Sequence, residues 1–158
     1  MSLTSAVNPD RYNLLLERYP ELFPSPGQAN HRTRPRFDFG EGWFNIVERL
    51  LGCYAWTLVV DSELRDQPPV ILAIREHRGA LQIDFAASAP WCNAMARLAE
   101  TEASQVCEVC GEPGAWSEAD QGQVRCKSHR RHCRMDDLDS APGTDGRPRP
   151  MINSRPSE

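Results

Sequence analysis

Long apolar runs are missing from this sequence. The longest nearly uncharged stretch, Leu50–Val60, is eleven residues including Gly52 and Thr57, whereas a membrane-spanning helix needs roughly 18 or more, so no helix is expected to cross a membrane. A surplus of positive charge is missing too. Eighteen Lys and Arg against 22 Asp and Glu give a formal charge of -4, and general nucleic-acid or anionic-membrane binders carry the opposite balance. No secretory leader is recognisable at the start, and four of the six cysteines cluster between Cys107 and Cys133 beside histidines. A disulfide framework is therefore excluded in favour of a reducing, cytoplasmic setting. Internal repeats are absent. So are the Walker loop, G-x-G-x-x-G, G-x-S-x-G and H-E-x-x-H. Cys53 and Cys92 fall among apolar residues of predicted helices, where a cysteine is a small core hydrophobe. His77, Glu76 and Asp84 can be drawn as an acid/base set across a hairpin, but a polar outer strand face accounts for them. The expectation is a non-enzyme.

What is present is a metal-ligand pattern. Cys107-Glu-Val-Cys110-Gly111 is followed, with fifteen residues between Cys110 and Cys126, by Cys126-Lys-Ser-His129. Cys thiolate and His imidazole are ligands of closed, four-coordinate zinc sites, and two short ligand pairs at this separation are a zinc-ribbon signature. Two residues between ligands let one tight turn aim both at the same ion, and Gly111 supplies the positive-φ freedom such a turn needs. One structural Zn²⁺ is expected on Cys107, Cys110, Cys126 and His129. His132 and Cys133 stay within reach in sequence as alternatives to His129.

The rest of the chain is long enough for one domain with its own core. Asn8-Pro9 reads as a helix cap with Tyr12, Leu15, Leu16 and Tyr19 on one face. Residues 25–40, with His31, Arg32, Arg34 and Arg36, read as a long surface loop. From Gly42 a second amphipathic helix buries Trp43, Ile46, Val47, Leu50, Leu51 and Tyr54. Trp56–Val60 either continues it or begins a strand, since β-branched residues and Gly52 pull towards the latter. After a polar connection at 62–69, Val70–Glu76 and Leu81–Phe85 form a hairpin with Arg78-Gly79 near the turn. Pro90 opens a third helix with Trp91, Met95 and Leu98 inward, which runs almost directly into Cys107. Pro113-Gly114 and Asp120–Gly122 read as turns beside two very short strands, Ala115-Trp116 and Gln123–Arg125, and Trp116 is expected to cover the knuckle. The fold class is thus α+β, with helices packed on a small antiparallel hairpin or sheet and a C-terminal zinc ribbon. The expected parts are a flexible start (1–7), an α+β core (8–104), a zinc-binding ribbon (105–134) and a disordered tail (135–158) poor in apolar residues.

Gly42-Trp43 opening a helix with Leu50-Leu51, the hairpin from Ile74 to Phe85, and Cys107, Cys110, Gly111, Pro113 and Gly114 followed by Cys126 and His129 together resemble a group of small, functionally uncharacterised proteins from phages, prophages and bacterial genomes. The resemblance covers residues 40–130. It implies a mobile-element accessory protein but no activity. The hairpin departs from that group's pattern of a lysine, an aromatic and paired glycines, having His77, Arg78, Gly79 and Ala80 instead.

Two binding functions follow. Net acidity favours a module that acts through a protein partner. The alternative is a nucleic-acid-binding ribbon using the acid-free run Arg125, Lys127, Arg130, Arg131 and Arg134 on phosphates, although Asp136, Asp137 and Asp139 follow it at once. Arginines 32, 34 and 36 need no role beyond a solvated loop.

Overall fold

A computed structural model describes residues 8–24 and 34–130. The expected flexible start (1–7), His31 and Arg32, the residues Arg131, His132, Cys133 and Arg134, and the tail (135–158) lie outside the described residues. The architecture is α+β, as the periodicities predict.

Helix α1, Pro9–Arg18, starts at Asn8, whose side chain accepts from the Asp10 amide. A 3-10 turn at Pro20–Leu22 then sends Leu22 and Phe23 into the core. Residues 25–40 are not wholly loop: Arg36–Asp38 form a strand, β1. A three-residue strand has no period to read. It exists because it pairs in parallel with the later strand Val70–His77, with Phe37 opposite Ile74, and because Phe37 stacks on Tyr12 with ring centroids 4.9 Å apart.

A 3-10 turn at Glu41–Trp43 buries Trp43, and helix α2, Phe44–Val60, follows it and buries Phe44, Ile46, Val47, Leu50, Leu51, Tyr54 and Leu58. The ambiguous segment 56–60 is helical. Leu58 continues the inward stripe four residues after Tyr54, and the last carbonyls are satisfied by a basic side chain, the usual remedy at a helix C-terminus. Arg65 Nε donates to Leu58 O at 3.0 Å and its Nη2 to Val59 O at 2.9 Å. Arg65 is held there by a short helix, α3, Ser62–Arg65, capped by the Asp61 carboxylate, where the sequence suggested only a polar connection.

Strands β2, Val70–His77, and β3, Ala80–Ala87, pair antiparallel through Arg78 and Gly79, both at positive φ. That is the requirement of a two-residue turn matching strand twist. The register shifts between Ile71 and Ala73. This irregularity resets the two-residue alternation, so Ile71 and Ile74, three apart, both face the core. The sheet order is β1-β2-β3.

Helix α4, Pro90–Ala103, packs on α2 and β3 through Cys92, Ala99 and Ala103. Leu98 does not point inward as expected but is 71% exposed. The inward stripe runs through these small side chains, seven and four residues apart, and Leu98 falls one position off it. Among the described residues no helix is long and apolar enough to cross a membrane.

Candidate metal centre

From the end of α4 the chain folds into a knuckle tied by its own backbone. Cys107 N donates to Glu112 O at 2.7 Å and Gly111 N to Cys107 O at 2.9 Å, with Gly111 at φ 81°. Pro113-Gly114 is not a free turn. Pro113 bridges back to Val106 and Gly114 N donates to Gln105 O, making this the return leg of the knuckle. Strands β4, Ala115–Ser117, and β5, Gln123–Arg125, form a small antiparallel ribbon. It returns the chain to Cys126, after which the amides of His129 and Arg130 both donate to Cys126 O at 3.0 Å.

These two turns bring Cys107, Cys110, Cys126 and His129 into one group whose ligand atoms all lie within 4.8 Å of one another, able to hold one metal ion. Cys110 Sγ is 3.7 Å from Cys126 Sγ, and His129 Nδ1 is 3.7 Å from Cys107 Sγ and 3.2 Å from Cys126 Sγ. Cys107 and Cys126 are buried, while Cys110 and His129 face solvent. Desolvation and the neighbouring thiols push the Cys110 thiol up. At Cys126 burial acts in the same direction, but hydrogen bonds from the Cys110 thiol and from the backbone at Ser128 and His129 outweigh it and hold that thiol below its ordinary value. Among the described residues His129 is the fourth member of the group, and the alternatives His132 and Cys133 lie outside them.

The knuckle does not hang free on the helix end. Gly42 N donates to Glu108 O at 2.8 Å and Trp43 Nε1 to Val106 O at 2.8 Å, so the start of α2 is bonded to the metal loop. Gly40 and Gly42 lie against its backbone so closely that a Cβ on either would come within 2.1 Å of a carbonyl oxygen, Glu108 O or Cys107 O respectively. Trp116, expected over the knuckle, instead lies across the β2–β3 turn, where a Cβ on Gly79 would meet its Cδ1 at 2.6 Å.

The basic run is divided. Arg125 is not a surface contact: it is buried, with Nη2 2.6 Å from Gln123 Oε1 and 2.8 Å from Glu108 Oε1. Its place follows from Glu108, which sits between Cys107 and Cys110 and is only 1% exposed, so that its buried carboxyl needs a polar partner in either protonation state. Nothing local marks Glu108 as interior, because a charged residue in a C-x2-C turn ordinarily faces water. Lys127 and Arg130 are exposed. Of the loop arginines, Arg34 donates to Asn13 and Arg36 pairs with Asp38 at 3.4 Å, both exposed beside an open groove that Tyr12, Leu16 and Phe37 also line. The acid/base set across the hairpin is engaged otherwise: Glu76 accepts from the Gly79 amide at 2.7 Å and Asp84 pairs with Arg75 at 3.2 Å. Cys53 is exposed, whereas Cys92 is buried and burial pushes its thiol up, away from the reactive thiolate.

Burial pushes the Glu108 carboxyl up from 4.5 to about 7, against the nearby Arg125 cation and with Glu76 adding to the rise. Between 4.5 and about 7 the group is protonated in the folded chain but ionised in the unfolded one. Folding then takes up a proton, and this group's contribution to stability falls as pH rises through that window. Glu108→Gln is expected to remove that slope, so the variant gains on the wild type as pH rises. Urea midpoints of the two chains across the window measure this. Parallel profiles would mean that the carboxyl titrates alike in both states.

Fold and site together define a class: a small α+β protein with a Cys₃His knuckle built into the start of its main helix. Comparison with protein families, with characterised proteins and with solved structures finds no match.

Proposed function

We propose that the knuckle holds one structural zinc ion and that the chain is a zinc-stabilised, non-enzymatic binding protein acting through a protein partner. The observation that carries the reading is the size of the ligand set. Zinc at about 2.3 Å from sulfur and about 2.0 Å from nitrogen implies tetrahedral edges of roughly 3.5–3.8 Å; two of the separations here are 3.7 Å and one is 3.2 Å. Thiolate and imidazole suit zinc, whereas magnesium and calcium take oxygen ligands. Four protein ligands leave no position for a reactive water, which supports a structural role over a catalytic one.

A protein partner is favoured over nucleic acid by the net charge of -4 and by the removal of Arg125 from the surface. The nucleic-acid reading retains Lys127 and Arg130, with Arg131 and Arg134 outside the described residues. The resemblance to phage and prophage proteins supports a mobile-element accessory role in a bacterial cytoplasm.

Metal analysis of protein purified without chelator is expected to give one zinc per chain, and none would refute the metal assignment. Affinity capture from a bacterial lysate, with and without nuclease, tests the partner. A stoichiometric protein that survives nuclease supports the reading. Nuclease-sensitive nucleic acid without such a protein, lost on charge reversal of Lys127 and Arg130, would replace it with the alternative.

A further inference from the structure

The second half of α2 is apolar on more than its inward side. Leu50, Leu51, Tyr54 and Leu58 are buried, yet Trp56, Val59 and Val60 are 67%, 69% and 56% exposed. At about 100° per residue these three centre on the side of the helix opposite the buried stripe. A helical segment that is apolar all round is normally covered all round, and among the described residues this one is covered on one side.

Beside it, Cys53 of α2 and Met95 and Leu98 of α4 line a groove of about 190 Å³. That is smaller than the roughly 300–1,000 Å³ of small-molecule pockets and closer to the size of one large side chain. Trp56, one turn after Cys53, projects from the same face. The margins are charged in balance: Arg49 pairs with Glu102 at the groove, and Arg18 with Glu48 on the other flank of α2. Neither pair leaves a surplus charge to attract a phosphate backbone or a charged peptide, and the other exposed charged side chains near the face, Arg97 on α4 and Glu63 and Arg65 on α3, are of both signs. A face that bears both a projecting ring and a groove for one, inside a neutral rim, is complementary to itself, which a two-fold interface demands. The four side chains exposed by more than half amount to on the order of 400 Å² of apolar surface, a size typical of functional patches. That is about half of the roughly 800 Å² each partner gives to a standard interface, and the groove walls and ion-paired rim extend it.

We propose that the outer face of α2 with the α2–α4 groove is the interface of a homodimer, Trp56 of each copy seated in the Cys53–Met95–Leu98 groove of the other. No residue of the metal knuckle takes part, so the inference stands apart from the zinc reading. Sedimentation equilibrium of the full chain from micromolar to millimolar concentration is expected to give twice the chain mass. Trp56→Glu and, separately, Leu98→Glu are expected to halve that mass with far-ultraviolet circular dichroism and metal content unchanged, since both side chains are exposed in the monomer. Trp56→Phe, which keeps the ring, should remain dimeric. A wild type that stays monomeric, a dimer indifferent to both charged variants, or association only with a different protein would each overturn the proposal. If one glutamate variant fails to fold, the other, on a different helix, still decides it.

Discussion

Replacing Cys107 by serine is expected to unfold the C-terminal third of the chain and to strip its metal. Cys107 is the fully buried ligand, and its carbonyl and amide also close the knuckle. Structural zinc contributes about 10–16 kcal/mol to the folding of small zinc peptides, as much as the roughly 5–15 kcal/mol total stability of an ordinary domain. The ribbon has little else to hold it, since its two strands are three residues each and an isolated hairpin is marginal in water. Loss should then reach α2, because Trp43 Nε1 and Gly42 N lose their acceptors Val106 O and Glu108 O, at about 1–3 kcal/mol for each buried group left unpaired. Hydrogen exchange should show protection vanishing first over 105–130, then at residues 41–46, with β2, β3 and the middle of α2 last. Undiminished protection of 105–130 in the variant would show that the site is not structural. Cys53→Ser, outside the ligand set, is the control that should leave the pattern unchanged.

Gly42→Ala should be nearly as damaging although it alters no ligand. A Cβ there would stand 2.1 Å from Cys107 O, 2.4 Å from Gly111 N and 2.9 Å from Cys110 N. All three are backbone atoms of the metal loop, so no side chain can rotate aside. Relief requires the loop to retreat by about an ångström, while metal sites hold their ligand distances to about 0.2 Å. Overpacking a tight core costs about 1–3 kcal/mol and occasionally more. The upper end is expected here, together with weaker metal retention in a chelator competition. Gly52→Ala supplies the contrast. Its nearest neighbour would be the hydroxyl end of Tyr19 at 3.3 Å, and alanine is favoured over glycine inside a helix by about 1 kcal/mol, so that variant should match or exceed the wild type. Metal retention and thermal stability unchanged in Gly42→Ala would mean that the knuckle does not pack against the start of α2.

The contrast between the two glycines shows how unevenly the sequence could be read. Gly52 matters only to its own helix, so its effect is local. Gly42 looks like the ordinary start of a helix, and its constraint comes from residues more than sixty positions away. Glu108 and Arg125 are alike in this: each looks solvated in its own turn, and only their meeting across the ribbon makes both interior. Leu98 and Trp116 were misplaced for the converse reason, because large apolar side chains do not declare whether their own chain covers them.

The sequence by itself marked the four side chains that the structure gathers, Cys107, Cys110, Cys126 and His129, together with the amphipathic helices, the hairpin with its Arg78-Gly79 turn and the α+β class. Each of these is written in spacings short enough for backbone geometry to act on directly: two residues within a ligand pair, three to four along a helix, two along a strand. Only the tertiary structure decided that Arg36–Asp38 is a strand, that 56–60 remains helical, that the metal loop is built against Gly40, Gly42 and Trp43, and that Arg125 belongs to the interior. Those outcomes depend on which surfaces meet. Periodicity marks a face as apolar or polar, but the partner that covers it, and how close the backbones come, is fixed only when distant segments pack together.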